Sequence, residues 1–360
     1  MVLEKKLLNY SPLMVINMNF LPTSLILLGF FILTITYTIR NRKLKIETHV
    51  FINELLIALL FLLVCVLFPF MYSFHYPSLN SITLNYLWLF TSIVFSIEMI
   101  IWCLMLSYNA ILSKKNPDIM AEREYSKYCD EFNENWEDNL KSEFGRKFLH
   151  LIAPVIIFSF WILGFILSET GFLIQWGLDI YSFSYFLIIT VGYGFVIMFQ
   201  VGDLARLNKF YILPKWAKNW FKVMNQSELH TFVASTPLVL ALTPFLFAPF
   251  PILASVALIT AGADAAACLI GKKYGKHSLR KNSNKTIEGF IAGGLCTFII
   301  VFFVSLLFHR WMPVSFTKII LMSVIATILF LLVDFYAKNI TDNILNPILT
   351  GFGMWIVLLF

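Results

Sequence analysis

Long, unbroken apolar blocks separated by short charged connections constrain this chain more than any other feature. Segments such as "LPTSLILLGFFILTITYTI" and "IEGFIAGGLCTFIIVFFVSLLF" each approach the roughly 20 residues an α-helix needs to cross about 30 Å of hydrocarbon. Of the 360 residues, 59% are hydrophobic and only 13% are charged. A soluble domain would carry roughly a quarter charged residues. A transmembrane β-barrel would show short alternating segments instead of continuous blocks. The expected fold class is all-α, a polytopic transmembrane helix bundle of about 9–10 spans. Spans are expected near 17–39, 50–72, 82–112, 148–168, 178–200, 229–248, 251–271, 289–308, 317–337 and 344–360. The third is long enough to tilt or project beyond the bilayer, and the last is short enough for a re-entrant course.

Charge then orients the bundle. Most of the 27 Lys and Arg residues fall in alternate connections: 40–49, 113–147, 201–228, 271–288 and 338–343. The opposite connections, "YSFHYPSLNS" and "SETGFLIQWG" among them, carry almost none. Lys and Arg are retained on the cytoplasmic side, which predicts an outside N-terminus and cytoplasmic polar loops. The net charge of +6 forms no continuous basic stripe, so membrane lipids are expected as partners and nucleic acid is not. The five cysteines are scattered, mostly inside apolar blocks and without a CxxC pair, as small buried hydrophobes would be. The first apolar block, after Lys5 and Lys6, is too long for a simple cleaved signal.

Two polar connections are more than linkers. Residues 113–147 place Tyr125, Tyr128, Phe132 and Trp136 at helical spacing among mixed charges, predicting an amphipathic helix on the membrane or on the protein. Residues 201–228 set Trp216, Trp220 and Phe221 among Lys215, Lys218 and Lys222, with Pro214 suited to a first helical turn. Two regions follow: residues 1–140, with three spans and the amphipathic segment, and residues 141–360, with the residues capable of chemistry.

The most informative stretch is 260–289, "TAGADAAACLIGKKYGKHSLRKNSNKTIEG". Asp264 lies about 8 residues, or some 12 Å, before the basic loop. An ionisable group at that depth is costly and points to function. The surrounding Gly262, Ala263, Ala265, Ala266 and Ala267 suit close helix packing and also leave room for a ligand. Gly271, Lys272, Lys273, Gly275, Lys276, Lys281, Lys285, Thr286 and Glu288 follow. Glycines let backbone approach a phosphate, lysines neutralise it, and a helix starting at Thr286 would aim its amides there. Asp264 and Glu288 are hard oxygen ligands suited to Mg²⁺. On residue chemistry alone, a nucleotide-phosphate and metal site and a positively charged loop with two turn glycines both remain open. The spacing is not that of a Walker A loop.

"DAAACLIGKKYGKHSLRKNSNKTIEG" resembles the signature shared by CTP-using membrane lipid enzymes. These are the dolichol, polyprenol and phytol kinases, the CTP-dependent diacylglycerol kinases and the phosphatidate cytidylyltransferases. "GRKFLHLIAPV" (145–155) resembles the Arg-Lys-x-x-His element of the kinases, placing Arg146, Lys147 and His150 in it. Lys147 and His150, at i and i+3, share a helix face. "VDFYAKNITDNILNP" (333–347) resembles the kinases' terminal element through Asp342, Asn343 and Pro347, with Asp334 standing where Glu is expected. The terminal cytidylyltransferase signature is absent, which favours kinase. Glu228 and His230, in "NQSELHTF", fit a looser middle element, and Asp203 with Arg206 suggests a simple interfacial ion pair. The resemblance covers roughly 140–350.

That resemblance implies CTP-dependent phosphorylation of a long-chain lipid alcohol, dolichol or another polyprenol, at the cytoplasmic membrane face. The implied residence is the endoplasmic reticulum membrane in a eukaryote or the plasma membrane in a prokaryote. Phosphoryl transfer mostly needs positioning and charge neutralisation. The implied catalytic residues are Asp264, Lys147, His150 and Asp342. The nucleotide would be held by Gly271, Lys272, Lys273, Gly275, Lys276, Lys285, Thr286, Glu288, Arg146 and Asn343. Mg²⁺ would sit on Asp264 and Glu288. Other readings are a CDP-lipid synthase, a transporter using an intramembrane Asp, and a non-catalytic scaffold. The transporter is disfavoured because no paired broken helices occur in two matching halves.

Overall fold

A computed structural model describes residues 18–42, 48–75, 79–137, 139–280, 285–337 and 339–360. Among these residues nine helices are long and apolar enough to cross a membrane. The principal helices are α1 (Leu21–Arg40), α2 (Thr48–Leu67), α3 (Ser81–Lys115), α4 (Tyr125–Asn135), α5 (Leu140–His150), α6 (Ile152–Glu169) and α7 (Ile180–Lys209). They continue with α8 (Ser235–Ala241), α9 (Phe250–Leu258), α10 (Asp264–Tyr274), α11 (Ile287–Leu307), α12 (Phe316–Tyr336) and α13 (Asp342–Leu359). The all-α polytopic class is as expected. At 1.5 Å per residue the 35-residue α3 is about 52 Å long and overshoots the hydrocarbon.

The sixth expected span departs from regular helix. Residues 229–248 form only the short α8 and a 3₁₀ turn, Thr243–Phe247. Pro237, Pro244 and Pro249 account for this: each lacks an amide donor, and Ala248 before Pro249 is extended. The segment nonetheless runs from one end of the bundle to the other. At one end Arg206 donates to the Leu229 carbonyl at 2.7 Å; at the other His75 Nε2 meets the Leu246 carbonyl at 2.8 Å. That second end is aromatic. Trp161 stacks on Phe250 at 3.8 Å, with Phe308 and Trp311 against its edges.

One apolar core runs through the bundle, from Leu27 and Phe61 to Phe330 and Met354. A second, smaller core lies at the polar end. There Tyr128 and Phe132 of α4 pack on Phe210, Leu213, Ala217 and Phe221. The amphipathic segment therefore lies on the protein, and its partner is the second aromatic connection. Pro214 stands just before a 3₁₀ helix, Lys215–Val223, where a helical first turn was expected.

Candidate functional site

Two helix starts set the site. Asn139 and Ser142 cap α5 reciprocally, with Ser142 N donating to Asn139 Oδ1 at 2.8 Å. From that start Glu143, Arg146, Lys147 and His150 fall within two turns and face α10. A single π-helical turn, Ile259–Ala263, immediately precedes Asp264 at the head of α10. Such turns interrupt the regular helix register and often mark functional positions.

Lys147 Nζ donates to Asp264 Oδ2 in a buried ion pair, Lys147 being 6% exposed. One turn earlier Glu143 accepts from Arg146 Nη2 at 2.6 Å and from Lys272 Nζ at 3.3 Å. The two contacts join α5 to both ends of α10. Asp342, first residue of α13, lies within electrostatic reach of Asp264 and Lys147. Asn343 is buried and donates to Thr341, the residue that caps α13. Segments 143–150, 264–272 and 342–343 thus converge at one end of the bundle.

The glycine-lysine connection is arranged differently. Leu279 N donates to the Lys285 carbonyl and Ile287 N to the His277 carbonyl, so 277–279 lies against 285–287. Thr286 caps α11 by accepting from Gly289 N at 3.2 Å. Gly271 and Gly275 let α10 approach that cap: a Cβ on Gly275 would collide with the Gly271 carbonyl and the Thr286 methyl. A Cβ on Gly271 would come within 3.0 Å of Thr286 Oγ1. Lys285 Nζ meets Asp334 Oδ1 at 2.6 Å, and Glu288 meets His277 Nδ1 at 2.7 Å. Lys273 lies over the Tyr274 ring, and Lys276 is exposed. Lys281 lies outside the described residues. The two glycines stand where α10 meets the cap of α11, and Glu288 faces His277 at the loop.

A cavity of about 520 Å³ adjoins the polar cluster. Arg146, His150 and Glu228 line it at the polar end, while Ile188, Leu242 and Leu253 carry its apolar wall toward the aromatic end. His150 is 6% exposed, and its Nδ1 has no hydrogen-bond partner. Glu228 is held by two backbone amides, Asn225 N at 2.8 Å and Ala234 N at 3.0 Å. Burial nevertheless raises its carboxyl above the ordinary value. The loop carrying Glu228 is latched from below. Fully buried Arg206 pairs with Asp203 at 2.8 Å and donates to the carbonyls of Glu228, Leu229 and Thr231. Asp203 Oδ2 accepts from Val233 N at 2.8 Å. The pair expected at an interface is a core fastening. His230 stands away from the cavity lining, edge-on to Tyr125.

Among the described residues no group of three His, Cys, Asp or Glu side chains gathers as a metal site. Mg²⁺ commonly takes only one or two carboxylates and fills its shell with phosphate and water. The neighbouring Asp264 and Asp342 suit that role by chemistry and placement.

Three acidic residues escaped the sequence reading. Glu143 organises two cations of the cluster. Glu54, wholly buried in α2, accepts from Thr231 Oγ1 at 2.9 Å and so steadies the same loop. Glu98, midway along α3, lies beside Gly194 of α7. The signal of Glu54 and Glu98 was available, since each is an acid within an apolar block. No family model, no curated protein and no solved structure matches the chain.

Proposed function

We propose that this protein transfers a phosphoryl group from a nucleoside triphosphate to the hydroxyl of a long-chain lipid alcohol at the cytoplasmic membrane face. CTP is the donor that the sequence resemblance implies. One observation carries the reading: the largely buried cluster of Lys147, Asp264 and Asp342 adjoins an apolar cavity, and Arg146 and His150 line that cavity. A soluble donor and an apolar acceptor can meet only where both environments touch.

Lys147, Arg146 and Lys272 supply positive charge to the transferred group and its neighbours, the main demand of phosphoryl transfer. Asp264 and Asp342 would hold a divalent cation, which would neutralise phosphate charge. Glu143 positions Arg146 and Lys272 by pairing with both. The acceptor oxygen would bond to the γ-phosphorus while the β,γ-bridging bond breaks, giving a lipid phosphate and CDP. His150 and Glu228 border the acceptor side, where the hydroxyl proton must leave.

The test is purified protein in lipid nanodiscs with γ-labelled CTP, Mg²⁺ and a panel of lipid alcohols. Label in an organic-extractable phosphate, with equimolar CDP, supports the reading. Pyrophosphate release with a CDP-lipid product would replace it by the cytidylyltransferase reaction.

A further inference from the structure

We infer that the cavity beside His150 is the acceptor subsite, and that it takes one alkyl or isoprenoid chain lengthwise with its primary hydroxyl at the end lined by Arg146, His150 and Glu228. This inference rests on the kinase reading, which does not itself say where the lipid lies.

The cavity has a polar and an apolar end, and they follow the bundle. Arg146, His150 and Glu228 line it beside the charged connections. At the other extreme Leu246 lines it, and the Leu246 carbonyl is bonded to His75 at the aromatic end of the bundle. A molecule filling this space would keep its head at the polar interface and its chain along the bilayer normal. Membrane lipids stand that way, whereas a water-soluble ligand would waste most of the wall.

Volume sets the number of chains. The cavity holds about 520 Å³. At roughly 30 Å³ per water-sized group this is room for on the order of 17 chain carbons. One chain fills that space, so a glycerolipid could seat only one of its two chains there. Longer polyprenols would place only their head-proximal units inside and extend the remainder into lipid.

The head end is polar and suited to a hydroxyl. Buried His150 lines it beside Arg146. Glu228 is fixed by backbone amides and by the Arg206–Asp203 latch, so it is a pre-positioned acceptor. Small residues keep the passage open. Gly192 and Ala153 line the wall, and a Cβ on Gly192 would meet only Val239, at 3.9 Å.

The experiment uses a diazirine-bearing hexadecanol with the full-length protein in phosphatidylcholine nanodiscs, without nucleotide. Crosslinks are expected on residues 188–199 and 234–246, competed by geranylgeraniol and more weakly by dioleoylglycerol. Gly192→Leu and Ala153→Phe should each cut this labelling and raise the KM for geranylgeraniol about tenfold, leaving the nucleotide KM unchanged. Labelling spread evenly over lipid-facing residues, equal competition by dioleoylglycerol, or undiminished labelling in both variants would overturn the inference. Because labelling needs no nucleotide, cavity labelling without phosphoryl transfer supports the subsite and overturns only the kinase reading. Transfer to alcohols without cavity labelling does the reverse.

Discussion

Lys147 and Asp264 form a buried ion pair across 117 positions of sequence, and that contact fastens α5 to α10. Removing one member of such a pair strands the other charge in a low dielectric, which typically costs about 3–5 kcal/mol. Lys147→Met and Asp264→Leu should each lower stability by that order, measured by denaturant unfolding in mixed micelles. The double variant should recover most of the loss and none of the activity. Single variants as stable as the wild type would show that the pair does not form.

The Arg206–Asp203 fastening has a different signature. Arg206 spreads its donors over one carboxylate and three backbone carbonyls, a fork that lysine cannot reproduce. Arg206→Lys is expected to destabilise by about 2–4 kcal/mol and to raise the KM for the lipid more than the KM for the nucleotide. The lipid KM should move because the loop it holds carries Glu228. Parallel changes in both constants would mean the latch acts only on global stability.

Gly275→Ala tests the packing role of the glycine-lysine connection. The added methyl overlaps the Gly271 carbonyl and the Thr286 side chain, so α10 and the cap of α11 must separate. Overpacking of this kind costs about 1–3 kcal/mol, readable as a fall in Tm in detergent. An unchanged Tm would show that the α10–α11 contact is looser than described.

His75 supplies a pH dependence. It lies between spans with its Nε2 on the Leu246 carbonyl, and burial holds its pKa below the ordinary 6.5. The folded chain then binds the proton less readily than the unfolded chain. Stability is full above 6.5 and is lost as pH falls through that value toward the lowered pKa. Unfolding midpoints measured between about pH 7.5 and 5 should fall with acid in the wild type. His75→Gln should be flatter over that range; an identical slope would remove His75 as the cause.

Much of the architecture was legible in the sequence because hydrocarbon admits few solutions. Apolar blocks of spanning length gave helices, and charge in alternate connections set the polar end. The exception, 229–248, is apolar enough to span, but its prolines keep it from forming one helix. Asp264 stood out by its cost in an apolar block, and its partner Lys147 was legible only as a member of another motif. Pairing across 117 positions is a property of tertiary packing, which no local pattern encodes. Gly271 and Gly275 read equally well as phosphate cradles or packing residues, since both roles need a missing side chain. Glu143 hid in a connection already crowded with charge.

The most direct measurement follows γ-labelled CTP with geranylgeraniol in nanodiscs holding the wild type or Asp264→Asn. The wild type should yield one labelled lipid phosphate per CDP. Asp264→Asn, inserted normally in the membrane, should be slower by roughly 10²–10³-fold, the usual effect of losing one charge-stabilising group. Turnover near the wild-type rate in Asp264→Asn, or no labelled lipid from either protein, would contradict the assignment of this cluster to phosphoryl transfer.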